Sequence, residues 1–245
     1  MKIWRENLPH QTIGFGMPDL PGQTFRLVVP ELISDSRNPI LPWSTPSPDW
    51  EVGEESARCV IEIVGMIRMS AEVLFSGDRI VIDVSVSNLS EEVWEKANLF
   101  TCFAYYAAPL YDDPDLSRTY LPVATGRWKA VADLFAEHDP GPGPYTFFPV
   151  RDGPALSDLW ICRTINQSHP QEVCRGAACV ESSCGQWVAG MSSARPAYVF
   201  NNRRECCIHA DPLLGTIEPG ETHQDVSTVH ICRGSLEDFD ARVTG

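Results

Sequence analysis

The sequence lacks a long apolar run, a surplus of positive charge and sustained helical periodicity. No stretch reaches the roughly eighteen consecutive apolar residues from which a transmembrane helix is built, so a membrane span is not expected. Lys and Arg number 19 against 33 Asp and Glu, a formal charge of −14. Phosphate backbones are held by clustered cations, so no nucleic-acid partner is expected, and attachment to anionic membranes is disfavoured for the same reason. The opening MKIWRENLPHQTIGF has no apolar core of the kind a secretory signal carries, which points to a cytoplasmic protein whose nine cysteines stay reduced. Two metal-binding patterns are also missing. There are no paired CxxC knuckles of the zinc-ribbon type and no HxH of the cupin type, so neither a metal nor another cofactor is expected.

What is present reads as β-structure. Residues 1–50 carry Pro18, Pro21, Pro30, Pro39, Pro42, Pro46 and Pro48, which forbid long helices and keep the chain extended. A strand at Thr24 to Val29 stands out from this segment, which is expected to wrap a sheet edge. From Arg79 to Asn88, Ile80, Ile82, Val84 and Val86 alternate with Val81, Asp83, Ser85 and Ser87, the period of a half-buried strand. Ser76-Gly77-Asp78 predicts a hairpin tip joining it to Ile67–Phe75. Arg58 to Val64 and the aromatic Ala97 to Tyr106 complete a meander. One helix is predicted over Arg127 to Glu137, from the spacing of Trp128, Val131, Leu134 and Phe135, and it ends at the breaker Asp139–Pro144. Strands are expected to resume at Tyr145–Val150 and Leu159–Ile165. With 245 residues, one all-β domain spanning 1–245 is the natural size. The fold expected is a two-layer antiparallel β-sandwich with one short helix.

Titratable groups with acid and base character near neutral pH concentrate between residues 195 and 242. His209, Asp211, Glu221, His223 and His230 lie within it, between strands expected at Pro196–Asn202, Cys206–His209 and Val226–Cys232, a turn at Asp211-Pro212 and a closing helical turn at Leu236–Arg242. His209, Asp211 and Glu221 are the candidate catalytic groups, because a histidine beside carboxylates can hold and transfer a proton near pH 7. Sugar recognition pairs aromatic platforms with charged or amide groups, which makes Trp128, Trp187, Arg118 and Arg195 the candidate substrate-binding residues. Cys174, Cys179 and Cys184, spaced too widely for a knuckle, read as loop thiols, and Cys206-Cys207 as strand neighbours facing opposite sides.

The order of parts resembles proteins of the galactose mutarotase-like group. A meander ends in Ser87-Asn-Leu-Ser90, and CFAYYAAPLYDD follows at 102–113. CIHADPLLGTIEPGE comes at 207–221, and a Gly-Ser-Leu-Glu terminus begins at Gly234. The likeness covers about Thr24 to Arg242. It implies a supersandwich and a carbohydrate or other small-molecule ligand, with a histidine as general acid and a glutamate as general base; only His209 and Glu221 offer themselves for those roles. The expected function is therefore that of a carbohydrate-directed sandwich, sugar-binding or sugar-converting in the manner of an epimerase or lyase. A self-associating structural sandwich, hence a homo-oligomer, and a cupin-like metal-dependent enzyme are the alternatives.

Overall fold

The computed structural model describes residues 1–6, 12–45 and 48–244. Strand accounts for 54% of the described residues and helix for 12%. Eight strands form the first sheet: β1 (Lys2–Arg5), β2 (Thr12–Gly16), β3 (Thr24–Ser34), β4 (Pro39–Leu41), β9 (Trp94–Ala107), β12 (Tyr145–Pro149), β15 (Pro196–Asn202) and β16 (Cys207–Ile217). Its order is β1-β2-β3-β9-β16-β15-β12, with β4 paired to β3. The second sheet holds β5 (Glu51–Val52), β6 (Ser56–Ile63), β7 (Ile67–Ser76), β8 (Arg79–Asn88), β10 (Thr119–Ala124), β11 (Arg127–Ala130), β13 (Gly176–Glu181), β14 (Trp187–Ser193) and β17 (Thr222–Arg233). It runs β11-β10-β13-β14-β17-β8-β7-β6-β5. Every ladder between named strands is antiparallel, so the molecule is the expected all-β sandwich. No helix among the described residues is long and apolar enough to cross a membrane.

Alternation along the strands sends one face of each sheet into a shared core. On β8, Ile80, Ile82, Val84 and Val86 are buried while their odd-numbered neighbours are half-exposed. Phe15 of β2 meets Phe75 of β7 across the layers at 5.5 Å, and Phe25 and Phe103 extend the stack. On β9 the odd positions Leu99, Phe103 and Tyr105 face this core. The even positions Phe100, Cys102 and Ala104 face out of the sandwich. That outer face of the first sheet is itself roofed in part, by Leu159, Ile161 and Cys162 packing on Phe147, Tyr198 and Phe200.

Three local expectations are corrected. Arg127–Ala130 is not helical: Gly126, with φ of +66°, turns the chain back, β11 pairs with β10, and α1 begins only at Val131 and runs to Glu137. Leu159–Ile165, read as a strand, is the short helix α2 (Trp160–Ile165). A stretch this short and largely apolar does not distinguish the two, and Asn166 closes it as a left-handed cap at φ of 52°. Asp211-Pro212 does not turn. β16 continues through it to Ile217, and the missing Pro212 donor falls opposite Pro196 at the start of β15, where the ladder shifts register. α3 (Leu236–Thr244) closes the chain as expected. The proline-rich first fifty residues supply β1 to β4 to the first sheet.

Candidate functional site

On β16 the odd-numbered residues Cys207, His209 and Asp211 share the outward face, since the even positions Ile208 and Ala210 belong to the central core. Their side chains are arranged as a chain of contacts. Cys207 Sγ lies 3.5 Å from His209 Nε2, and His209 Nδ1 lies 3.4 Å from Asp211 Oδ2. The other Asp211 oxygen, Oδ1, accepts the backbone N–H of Thr101 at 2.7 Å. His209 is clamped between the rings of Phe100 and Phe200, at 4.3 and 4.7 Å between centroids.

This cluster sits beside an interval of β16 and β9 in which no ladder partners are paired. Between Ile208↔Phe103 and Leu213↔Asn98 no residues of β16 and β9 are laddered, and the Asp211 carboxylate takes the N–H of Thr101 within that gap. On the other side of β9, the register of β3 shifts between Val28 and Leu32, where Pro30 has no N–H to donate. Glu31 sits in that irregular stretch. Bulges re-aim side chains beside sites of this kind. The result is a pocket of about 640 Å³ on the outer face, with Glu31, Cys102, Cys207 and His209 in its lining. Trp43, Phe100, Tyr106, Tyr145 and Phe200 supply apolar wall, while Arg26, Asn202 and Glu205 are polar.

Burial and pairing set the charges. The neighbouring Cys102 thiol and, against the effect of burial, the contact with and charge of His209 together bring the Cys207 pKa down to about 6. Cys102 is pushed well up by its bond to Cys207 and by burial, so it remains the thiol donor. Burial by itself lowers the His209 pKa; the charge of Asp211, 3.4 Å away, and the contact with Cys207 outweigh it and raise it to about 10. Asp211 is raised by burial, opposed by His209, Thr101 and Tyr198. Glu31 is pushed up to about 7 by burial, moderated by His209 and reinforced by Cys207 and Asp211. Cys207 Sγ thus lies between Cys102 and the His209 ring, which is backed by the Asp211 carboxyl group.

The residues singled out from sequence fall in different places. His209 and Asp211 are together and fully buried. Glu221 is not with them: it lies at the turn between β16 and β17, where Oε2 accepts the Glu218 N–H and stands 3.6 Å from His223 Nε2. Arg118 ties a loop together, donating to the carbonyls of Glu181, Leu110 and Asp112. Trp128 donates to Asp240 at 2.7 Å and packs edge-on against Phe239. Trp187 is half-buried against the central core. Arg195 binds Asp225 at 3.0 Å and lines a different cavity of about 800 Å³, shared with Arg79, Arg151 and Arg175. None of these four lines the outer-face pocket. Sequence reading missed Glu31, hidden in a proline-rich stretch, and missed Cys102 and Cys207. The signal for Cys207 was the period-two series Cys207-x-His209-x-Asp211, which the supposed turn at Asp211 interrupted. Cys174, Cys179 and Cys184 do not form a cluster; among the described residues the one group of three potential metal ligands is Cys102, Cys207 and His209.

No protein-family model matches the chain, and no curated protein matches it in sequence. Solved structures do share its fold. A galactose mutarotase-like protein from Lactobacillus casei superposes with a TM-score of 0.50 at 9% identity, over 91% of this chain and 93% of that one. A galactose mutarotase related enzyme from Lactobacillus acidophilus gives 0.47 at 9% identity, covering 92% of each. An alpha-galactosidase from Geobacillus stearothermophilus gives 0.42 at 13% identity over 86% of this chain, which corresponds to 28% of its own. The fold is therefore similar to that of galactose mutarotase-like proteins, in line with the resemblance read from the sequence.

Proposed function

We propose that the protein is carbohydrate-directed, sugar-binding or sugar-converting, and that its ligand lies in the pocket on the outer face of the first sheet. The observation that carries this reading is the composition of that pocket. Its volume of about 640 Å³ suits a mono- or disaccharide, and it combines aromatic faces with Arg26, Glu31, Asn202 and Glu205. A pyranose needs that combination, because its C–H face lies on aromatic carbon while its hydroxyls require charged or amide partners. Tyr106 is the platform best placed for this, 49% exposed and with the Arg26 guanidinium 4.4 Å from its centroid. Glu31 and Glu205, and not Glu221, are the carboxylates that line this pocket. The fold of the solved neighbours supports the reading without specifying the sugar.

Saturation-transfer NMR with a panel of aldoses, uronic acids and disaccharides tests it, followed by calorimetric titration of the strongest binder. Binding is expected to weaken about ten-fold or more in Tyr106→Ala and in Glu31→Gln, roughly 1.4 kcal/mol each, and to be unchanged in Trp187→Phe. A panel without any binder, or a binder indifferent to both pocket substitutions, overturns the assignment.

A further inference from the structure

Cys102, Cys207 and His209 bring two sulfurs and one imidazole nitrogen within 4.8 Å of one another, all three residues buried. Tetrahedral zinc, with bonds of about 2.3 Å to sulfur and about 2.0 Å to nitrogen, holds its ligand atoms roughly 3.5–3.8 Å apart. The separation of 3.5 Å between Cys207 Sγ and His209 Nε2 already meets this. We propose that Cys102 Sγ, Cys207 Sγ and His209 Nε2 bind one Zn²⁺, with the fourth coordination position open to the outer-face pocket.

Four features converge on that assignment. First, the donor set is right: two thiolates and an imidazole select zinc over magnesium or calcium, which take oxygen, and three protein ligands with one open position is the arrangement of a zinc site that works on a substrate. Second, the histidine is already oriented. Its Nδ1 faces Asp211 Oδ2 at 3.4 Å while Nε2 faces the sulfur. Asp211 is in turn fixed by the Thr101 N–H at 2.7 Å. A carboxylate behind a ligating histidine is the outer support that metal sites use.

Third, the site borders a cavity. Phe100 and Phe200 close over the ring, whereas Cys102, Cys207 and His209 all contribute to the lining of the pocket that also holds Glu31. Fourth, the obvious competing use of two neighbouring thiols, a disulfide, fits poorly. Cys207 pairs with Ala104 in the ladder, so Cys102 is its diagonal neighbour. Diagonal Cα atoms lie about 7–8 Å apart, beyond the roughly 4.4–6.8 Å that a disulfide spans. A metal ion bridges that gap without moving the strands.

The proposal does not depend on the sugar reading, because metal binding is measured with no sugar present. The reduced, metal-free full-length chain is titrated with Co²⁺ and then Zn²⁺. One cobalt per chain is expected, with thiolate-to-cobalt charge transfer in the near ultraviolet and intense visible bands of tetrahedral cobalt, displaced by zinc. Cys102→Ala and Cys207→Ser should each weaken binding roughly 100-fold or more, and Asp211→Asn about 10- to 100-fold. Cys174→Ser and Cys184→Ser should leave it unchanged. The ligand variants are buried and are checked for folding by near-UV circular dichroism; should one not fold, the zinc X-ray absorption spectrum of the wild-type chain decides, the expected shell being two sulfurs and one nitrogen with one further light atom. A weakly absorbing octahedral cobalt spectrum, a different zinc shell, binding that survives both cysteine substitutions, or binding lost in Cys184→Ser overturns the site.

Discussion

His230 lies on β17 with its side chain facing away from the central core, and its Nδ1, in a buried setting, has no hydrogen-bond partner among the described residues. The Phe239 ring stands edge-on to it at 6.1 Å. Burial first, and then the charges of Arg79 and Arg242, drive its pKa down to about 4, with Asp78 opposing. The folded protein therefore keeps this imidazole neutral, while the unfolded chain protonates it near pH 6.5. Between those values the unfolded state binds the extra proton, so this contribution to stability is present above about pH 6.5 and is lost as pH falls toward 4. Replacing His230 by Gln removes the linkage. The fall in stability from pH 7 to 4.5 should be smaller in the variant by on the order of 2 kcal/mol, discounted for partial solvent screening. Chemical denaturation at a series of pH values reads this directly, and identical pH slopes for the two proteins would refute it. Sequence spacing did separate His223 from His230, since an odd interval of seven residues places them on opposite faces of one strand. It could not say which face met a partner. His223 meets one, the Leu214 carbonyl at 2.8 Å from Nδ1, and His230 does not.

At the level of elements, legibility followed the strength of the local pattern. β8 and the β7–β8 hairpin were readable because strict alternation and the Gly77 turn agree, and the register confirms Ser76 opposite Arg79. α2 and the β10–β11 hairpin were not readable, because both are short and their conformation is decided by what they pack on. Trp128, which looked like one face of a helix, is instead part of a small cluster with Phe239, Cys179 and Cys232. The outer-face site was half legible for a related reason. The series on β16 was visible, but Cys102 and Glu31 reach it only through pairings that local patterns do not report.

The same cluster depends on Gly190 in β14. A methyl group there would fall inside contact distance of the Phe239 ring and stand 2.6 Å from both the Ala178 carbonyl oxygen and Cys179 Cβ. The strand and α3 approach this closely only because that side chain is absent. Gly190→Ala should cost about 2–3 kcal/mol, in the manner of other overpacked cores, as measured by urea denaturation. A loss below about 0.5 kcal/mol, the range of neutral surface changes, would show that α3 is not held against the sheet as described.

For the whole molecule, the decisive fact is where the C-terminal strands go. β16 stands between β9 and β15 in the first sheet, and β17 stands between β14 and β8 in the second. A single turn around Glu218–Glu221 joins them, so one pair of consecutive strands crosses between the layers and completes both. Without β15, β16 and β17, β12 loses its partner in the first sheet and the second sheet divides between β14 and β8. Each remainder would expose the apolar face that the sandwich buries, and partial sheets of that kind bury too little to offset the entropy of ordering the chain. The full chain should therefore unfold in one transition, with far-UV and near-UV circular dichroism superimposed. A fragment ending at Ser193 should show no cooperative melting. Two separated transitions in the full chain, or a cooperative melt in that fragment, would mean that the first 193 residues contain a unit able to fold without the strand that carries Cys207 and His209.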